Sequence, residues 1–173
     1  MDLYWRKILT LKLLGEIGIA LSGVGEIAIS FTRSIEMKMA YNEKDIINIL
    51  NNIPFRNGNF FKSEDPYEHY DAENLEDIVE IKIRSKKYDK QIIERYKYLR
   101  NKEESAKSDR NFFYVTNYQD KLSIWDINYL DSIGYKYFWH VKDLVRSTEF
   151  QDREPIPKVV GYLEPQLGLH LNI

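Results

Sequence analysis

The segment DAENLEDIVEIKIR, residues 71–84, decides the fold because it joins an acidic turn to an alternating strand pattern. The strand period of two places a mixed set on one face: Ile78, Glu80, Lys82 and Arg84. The opposite face is apolar and consists of Val79, Ile81 and Ile83. The pattern therefore predicts a strand that docks its apolar face on a helix and carries Glu80 beside Lys82 on the other face.

A turn between Asn74 and Asp77 would fold this segment into a hairpin. Antiparallel pairing would then bring Asp71 across from Glu80. Two carboxylates on adjacent strands can hold a divalent cation through hard oxygen ligands, with help from the Ile81 carbonyl. The alternative interpretation is the solvated face of an ordinary strand.

Other candidate residues near this motif are weaker. The E-x-K spacing recurs at Glu36 and Lys38, but no acidic hairpin precedes that copy. His69 could share a strand face with Asp71 as an extra ligand, although a plain polar strand residue is the simpler interpretation.

Composition sets the class of protein. The 173 residues are enough for one domain with a real core, and 43% of them are hydrophobic. The absence of cysteine excludes disulfides, thiolate zinc sites and cysteine nucleophiles, and we expect a cytoplasmic protein. The longest apolar stretch, residues 8–30, is interrupted by Lys12, Glu16 and Glu26, so we expect neither a signal peptide nor a membrane partner.

Charges are segregated along the chain although the net charge is only −2. Residues 64–80 contain eight acidic residues and no Lys or Arg, whereas residues 82–102 contain nine basic residues and two acidic ones. An acidic pole beside a basic pole suits a site that holds metal cations and also contacts phosphate. Two solvated surfaces would give the same pattern.

The order of elements predicts an α/β (α+β) fold with a mixed central β-sheet flanked by helices. We expect a strand-rich N-terminal extension over 1–41, which could mediate oligomerisation, and a core over 42–173. A helix capped by Asn42 opens the core. A second helix is predicted over 88–104, with one apolar side: Tyr88, Ile92, Tyr96 and Leu99.

The C-terminal third predicts further strands. Residues 112–118 and 121–127 form a predicted hairpin joined near Gln119, and a short helix and a strand follow within 128–145. Two prolines in the tail, Pro155 and Pro157, favour edge or loop geometry over a central strand.

Asp71, the EIK tripeptide at 80–82 and a following helix with Gln91 together resemble the PD-(D/E)xK nuclease superfamily. The helix that starts near Glu43 is similar to the first helix of that family, which often carries a glutamate. Two departures are visible: Tyr70 stands where a proline is expected, and the acidic EDP at 64–66 makes Asp65 a rival for the first acid.

The resemblance implies a restriction-endonuclease-like fold and a metal-dependent endonuclease that hydrolyses DNA phosphodiester bonds. It implies that Asp71 and Glu80, with the Ile81 carbonyl, bind magnesium, for which manganese could substitute. Lys82 would position the attacking water or stabilise the transition state, and Gln91 would orient the site.

The resemblance further implies DNA as the partner, and a dimer or higher homo-oligomer. Four basic residues would grip the nucleic-acid backbone: Arg84, Lys86, Lys87 and Lys90. The alternative is a non-catalytic nucleic-acid-binding or protein-interaction domain on the same scaffold.

Overall fold

The computed structural model describes residues 41–53, 59–64, 69–145 and 154–173. These residues form a mixed α/β structure, as predicted, in which helices flank a mixed sheet. Residues 1–40, which make up nearly all of the predicted N-terminal extension and include the second E-x-K copy, lie outside the described ranges.

The described residues contain three α-helices and two sheets. The helices are α1 (Glu43–Asn52), α2 (Arg95–Ser108) and α3 (Ile127–Ser132). The larger sheet contains, in spatial order, β1 (Phe61–Lys62), β2 (Ala72–Glu73), β3 (Asp77–Ile83), β5 (Asn111–Tyr118), β6 (Lys121–Asp126) and β9 (Leu169–Asn172). The smaller sheet contains β4 (Gln91–Glu94), β8 (Pro155–Leu163) and β7 (His140–Val145), in that order, and a 3₁₀ turn spans Pro165–Leu167.

Strands β3 and β5 form the centre of the larger sheet. They run parallel, because the chain between them crosses over through α2, whereas the other pairs in both sheets are antiparallel. Both faces of β5 are buried: Phe112 and Tyr114 pack on one side, and Phe113 and Val115 on the other. The central pair is therefore enclosed between two packed layers.

Helix α1 covers one face of the larger sheet. Asn42 caps it in a reciprocal pair with Asp45, which confirms the predicted cap. The buried side of α1, formed by Ile46, Ile47 and Leu50, packs with residues that include Val79 and Ile81 of β3. The apolar face of β3 docks on a helix as its alternation predicts.

The opposite face of the larger sheet packs against α3 and the smaller sheet. Ile78 and Trp125 from the larger sheet join Ile93 and Leu163 from the smaller one, together with Leu130 of α3. Helix α2 contacts β3, β5, β4 and β8 on this side. This arrangement leaves Glu80, on the same face as Ile78, beneath α2.

The predicted helix over 88–104 begins too early. Residues 91–94 form β4, which pairs with β8 from Leu163 to Val160, and α2 starts only at Arg95. Tyr96 and Leu99, predicted to face the core, are 62% and 50% exposed. The helical spacing of the apolar residues was misleading because residues 91–94 belong to β4. The strand that pairs with β4 lies about 70 residues later in the chain.

The prolines of the tail do not keep β8 at an edge, because β8 is the central strand of the smaller sheet. Pro155 and Pro157 pair only with β7, and β4 pairs with the later part of β8. The proline-containing half of β8 therefore needs hydrogen bonds on one side only. The predicted hairpin at Gln119, and the helix and strand that follow it, are confirmed.

Gly161 of β8 lies directly against the segment that connects α3 to β7. A Cβ atom at this position would lie 2.8 Å from the Tyr137 Cβ and 2.9 Å from the Tyr137 carbonyl oxygen. Since a backbone atom cannot move aside cheaply, we expect Gly161→Ala to lower the free energy of unfolding by about 2–3 kcal/mol. Urea denaturation measures this change.

Gly134→Ala is the matched control, because a Cβ there meets no atom within 4 Å. Its backbone φ of 71° adds only the cost of left-handed geometry, about 1 kcal/mol. A loss at Gly161 no larger than the loss at Gly134 would contradict the close packing of Tyr137 on β8.

Candidate active site

The turn between β2 and β3 is held by the side chain of Asn74. Its Oδ1 accepts hydrogen bonds from the backbone N–H of Glu76 at 2.8 Å and of Asp77 at 2.7 Å. The N–H of Asn74 also donates to the Asp77 carbonyl at 2.9 Å. An asparagine that bonds the backbone two and three residues ahead fixes a tight turn, so the predicted turn is confirmed.

The register of the hairpin brings two carboxylates together. Ala72 pairs with Val79, so Asp71 stands opposite Glu80 on the adjacent strand. The backbone N–H of Asp71 donates to the Val79 carbonyl at 2.8 Å, and its side-chain Oδ2 accepts from the Ile81 N–H at 2.6 Å. The pairing of Asp71 with Glu80 predicted from strand period and turn position is confirmed as geometry.

The Asp71 carboxyl group is electrostatically strained in this position. Burial, and next the negative charge of Glu80, raise the pKa of Asp71 from 3.8 to about 6. Lys82 and the hydrogen bond from Ile81 oppose this shift only in part. A cation near both carboxylates would relieve the repulsion between them.

Glu80 is fully buried and is surrounded by cationic and amide groups. Its Oε1 forms an ion pair with Lys82 Nζ, and its Oε2 lies 3.3 Å from Lys97 Nζ. Asn101 Nδ2 donates to the same Oε2 at 3.5 Å. Two lysines thus compensate a buried carboxylate that would otherwise be very costly to remove from water.

Lys82 remains protonated in this environment. Burial disfavours its charged form, but the carboxylates of Glu80 and Asp71 outweigh that cost and raise the pKa of Lys82 above its ordinary value. A permanently protonated amine can donate hydrogen bonds and stabilise negative charge, but it cannot accept a proton from water.

Two residues of α2 complete the surroundings of Glu80 and were missed by sequence analysis. Lys97, which is not on the predicted apolar side of the helix, points to Glu80 and donates to the His69 carbonyl at 2.9 Å. Asn101, four residues later, is fully buried. Lys97 and Asn101 are four residues apart and therefore lie on the same side of a helix. The predicted helix started too early, so its apolar pattern did not identify this side as the one that faces the sheet.

The donor atoms around Glu80 fit a hard divalent cation. Among the described residues, no hydrogen bond of acceptable geometry reaches the buried oxygens Glu80 Oε1 and Asn101 Oδ1, although Oε1 is in ion-pair contact with Lys82 Nζ. Within the described ranges, no three Asp, Glu or His side chains come together as a metal site. Magnesium commonly binds one or two carboxylates and completes its shell with water and substrate oxygens, so Asp71 and Glu80 with neutral oxygens meet its needs.

The other predicted site residues lie elsewhere. Gln91 belongs to β4 rather than to a helix, and its Nε2 donates to the Tyr88 carbonyl at 3.4 Å, so its predicted place on the helix beside the motif is wrong. Glu43 pairs with Lys62 at 3.2 Å. Asp65 lies outside the described residues.

His69 reaches the site through its backbone. Its carbonyl oxygen accepts the Lys97 hydrogen bond, whereas its ring stands edge-on to Tyr96 with centroids 5.5 Å apart. Burial, and next the positive charges of Arg100 and Lys97, lower the pKa of His69. His69 lies in a bend before β2, so its predicted place in a strand is wrong.

Of the four residues predicted to bind phosphate, three are exposed lysines and the fourth, Arg84, is half-buried. Lys86 and Lys87 are exposed. Lys90 is exposed but pairs with Glu164 at 2.6 Å. Arg84 is half-buried and donates to the Ile92 carbonyl at 3.0 Å.

No family model, curated protein or solved structure matches the chain. None of the helices in the described part of the chain has the length and apolar character that crossing a membrane requires. The function is therefore inferred from the site's own geometry.

Proposed function

We propose that this protein is a metal-dependent nuclease. More specifically, we propose an endonuclease that hydrolyses DNA, with a magnesium site at Asp71 and Glu80. The observation that carries the proposal is the cross-strand pair of carboxylates with Lys82 in ion-pair contact with one of them. This combination provides oxygen ligands and a fixed positive charge at one place.

The fold supports this proposal. Helix α1 is followed in the chain by the antiparallel strands β1–β3, then by β4 of the smaller sheet, helix α2 and the parallel strand β5. The resemblance to PD-(D/E)xK nucleases implies a restriction-endonuclease-like core in which such a mixed sheet carries the acidic residues between two helices. Strand β3, which carries Glu80 and Lys82, lies in a mixed sheet with a helix before it and a helix after it in the chain, and this order supports the proposal.

Asp71 and Glu80 would hold the metal, with the Ile81 carbonyl as a neutral ligand. The Ile81 N–H bonds to Asp71, and the N–H and carbonyl of one strand residue point to the same side, so that carbonyl faces Asp71. When bound, magnesium supplies charge neutralisation at the phosphate and a more acidic water.

Lys82 and Lys97 would act as cationic groups beside the reacting phosphate. Protonated Lys82 would donate a hydrogen bond to an oxygen that gains negative charge, and would orient the attacking water through the same N–H groups. Asn101 would keep the Glu80 carboxylate in place through its amide. These roles require no proton transfer to either lysine.

Cleavage of supercoiled plasmid and of linear DNA, with magnesium or manganese, tests the proposal. We expect the unaltered chain to cut and Lys82→Ala to lose roughly 10²–10³-fold in rate while remaining folded. Lys121→Ala, at an exposed lysine of β6, should cut normally. If the unaltered chain cuts no DNA with either metal, or if Lys82→Ala cuts equally well, a non-catalytic binding domain becomes the better interpretation.

A further inference from the structure

A small cavity lies beside Lys82 and is separate from the carboxylates of Asp71 and Glu80. It has a volume of about 150 Å³ and is bounded by strands of both sheets. The residues that give it chemical character are Lys82, Arg84, Tyr88, Glu94, Tyr114 and Lys142. Three of these six side chains are cationic and one is anionic.

The charges around this cavity do not balance. Glu94 is already paired with Lys158 at 3.1 Å, and Lys82 is paired with Glu80. Within the described part of the chain, neither Arg84 nor Lys142 forms an ion pair with a carboxylate. The cavity therefore has an excess of positive charge from two side chains.

Arg84 has an unused hydrogen-bond donor. Its Nη2 donates to the Ile92 carbonyl at 3.0 Å and to the Tyr114 hydroxyl at 3.3 Å, which fixes the guanidinium at the cavity wall. Its Nε is buried and finds no acceptor among the residues that the structure describes. A buried donor without a partner is costly, and an anion in the cavity would give this group an acceptor.

Lys142 is held in an electrostatically unfavourable position. It stands directly opposite Lys158 on the neighbouring strand, and like charges at paired positions destabilise a sheet. Only one of the two lysines is compensated by Glu94. A second negative charge would stabilise the pair.

We propose that this cavity binds the terminal phosphate monoester of a nucleic-acid strand, an inference that rests on the proposed nuclease function and extends it. A cavity of 150 Å³ is well below the size of ordinary ligand pockets, about 300–1,000 Å³, and suits one phosphate-sized group. A phosphate monoester carries about −1.5 to −2 charges at neutral pH. This charge matches Arg84 and Lys142, the two cations at the cavity without a carboxylate partner in the described part of the chain. An internal phosphodiester carries only one charge.

This site defines a substrate class. Because Lys82 lines the cavity and also pairs with Glu80, a terminal phosphate bound there would bring the adjoining phosphodiesters close to the proposed metal site. Among linear substrates, the enzyme would therefore prefer strands with a phosphorylated end over strands that end in hydroxyl groups. Arg84 would serve here as a ligand for the terminal phosphate rather than for the general backbone.

The test is binding of short single-stranded DNA without hydrolysis, measured by fluorescence anisotropy in EDTA and again with calcium. Three oligonucleotides of one sequence are compared: one with a 5′-phosphate, one with a 3′-phosphate and one with hydroxyl groups at both ends. We expect one of the phosphorylated forms to bind at least 10-fold more tightly than the hydroxyl form. Inorganic phosphate should compete for that gain.

Variants locate the site. Lys142→Gln should remove most of the preference for the phosphorylated end, whereas Lys121→Gln, which changes charge equally away from the cavity, should keep it. Arg84→Gln should act like Lys142→Gln. Because Arg84 also bonds within the protein, Lys142→Gln, at an exposed side chain, decides the result if Arg84→Gln does not fold.

Equal affinity for all three oligonucleotides, or a preference unchanged in Lys142→Gln, would overturn the assignment of the cavity. Because the assay measures binding without hydrolysis, the phosphate site and the nuclease activity are tested independently. A chain that cuts DNA but ignores terminal phosphate refutes the cavity alone. A chain that prefers the phosphorylated end but never cuts refutes the nuclease alone.

Discussion

Asp71→Asn will yield a protein that no longer cuts DNA but is more stable than the unaltered chain when metal is absent. Under the proposed function this substitution removes a ligand of the metal, and we expect cleavage to fall by at least ~10³-fold, because such a metal would contribute several kcal/mol to stabilising the transition state. Asparagine keeps an oxygen that can accept the Ile81 N–H, and it removes the charge that Glu80 repels. When a residue serves catalysis at a cost to folding, its replacement should lower the activity and raise the stability.

The gain in stability should depend on pH in a defined direction. Because the pKa of Asp71 is raised in the folded chain, the folded state binds the proton more tightly than the unfolded state does. The contribution of Asp71 therefore stabilises the metal-free protein as pH falls from about 6 toward 3.8, and this stabilisation is lost as pH rises through that window. Above the window the unaltered chain should be about 1–3 kcal/mol less stable than Asp71→Asn.

Urea denaturation in EDTA at several pH values measures this difference. Asp120→Asn, at the exposed tip of the β5–β6 hairpin, is the matched control and should not alter the pH dependence. Magnesium should raise the stability of the unaltered chain and leave Asp71→Asn nearly unchanged, because only a ligand that binds the folded state stabilises it. A destabilised Asp71→Asn at neutral pH would contradict the electrostatic strain assigned to this carboxylate.

The acidic hairpin could be predicted because its determinants are local. Strand alternation fixed which side of β3 carries Glu80, and turn chemistry around Asn74 fixed the position of Asp71. Both depend on residues fewer than ten positions apart. The cap of α1 and the turn at Gln119 are predictable for the same reason.

The surroundings of Glu80 could not be predicted because they depend on distant pairing. Residues 91–94 become a strand only because β8, about 70 residues later, pairs with them. That pairing moves the start of α2 to Arg95 and changes which side of the helix faces the sheet. Lys97 and Asn101 then contact Glu80, while Leu99 faces solvent.

The full burial of Glu80 was not predicted from the sequence. The sequence predicted a carboxylate beside Lys82 on the mixed face of the strand, whereas the structure places it fully buried beneath α2. Alternation assigns a residue to a face but does not say what covers that face. The covering residues Lys97 and Asn101 are polar and bond to the Glu80 carboxylate, which lowers the energetic cost of burying its charge.

Glu80→Gln should be the most destabilising single change in the candidate site. It removes the carboxylate that forms ion pairs with both Lys82 and Lys97, and leaves the two cations without that shared partner. Breaking a buried ion pair on one side costs about 3–5 kcal/mol. Because both lysine side chains are about 30% exposed and can turn toward water, we expect a loss near the lower end, about 3 kcal/mol.

A double-mutant cycle with Lys82→Gln separates this ion pair from general packing. Lys82→Gln alone should cost less, because Glu80 retains Lys97 and Asn101, and the double variant should be more stable than the sum of the single losses predicts. Glu103→Gln makes the same chemical change in an exposed ion pair with Lys107 and should leave the denaturation midpoint unchanged. Full additivity in the cycle would mean that Lys82 does not compensate the buried charge, and the assignment of Lys82 as a fixed cation beside Glu80 would then fail.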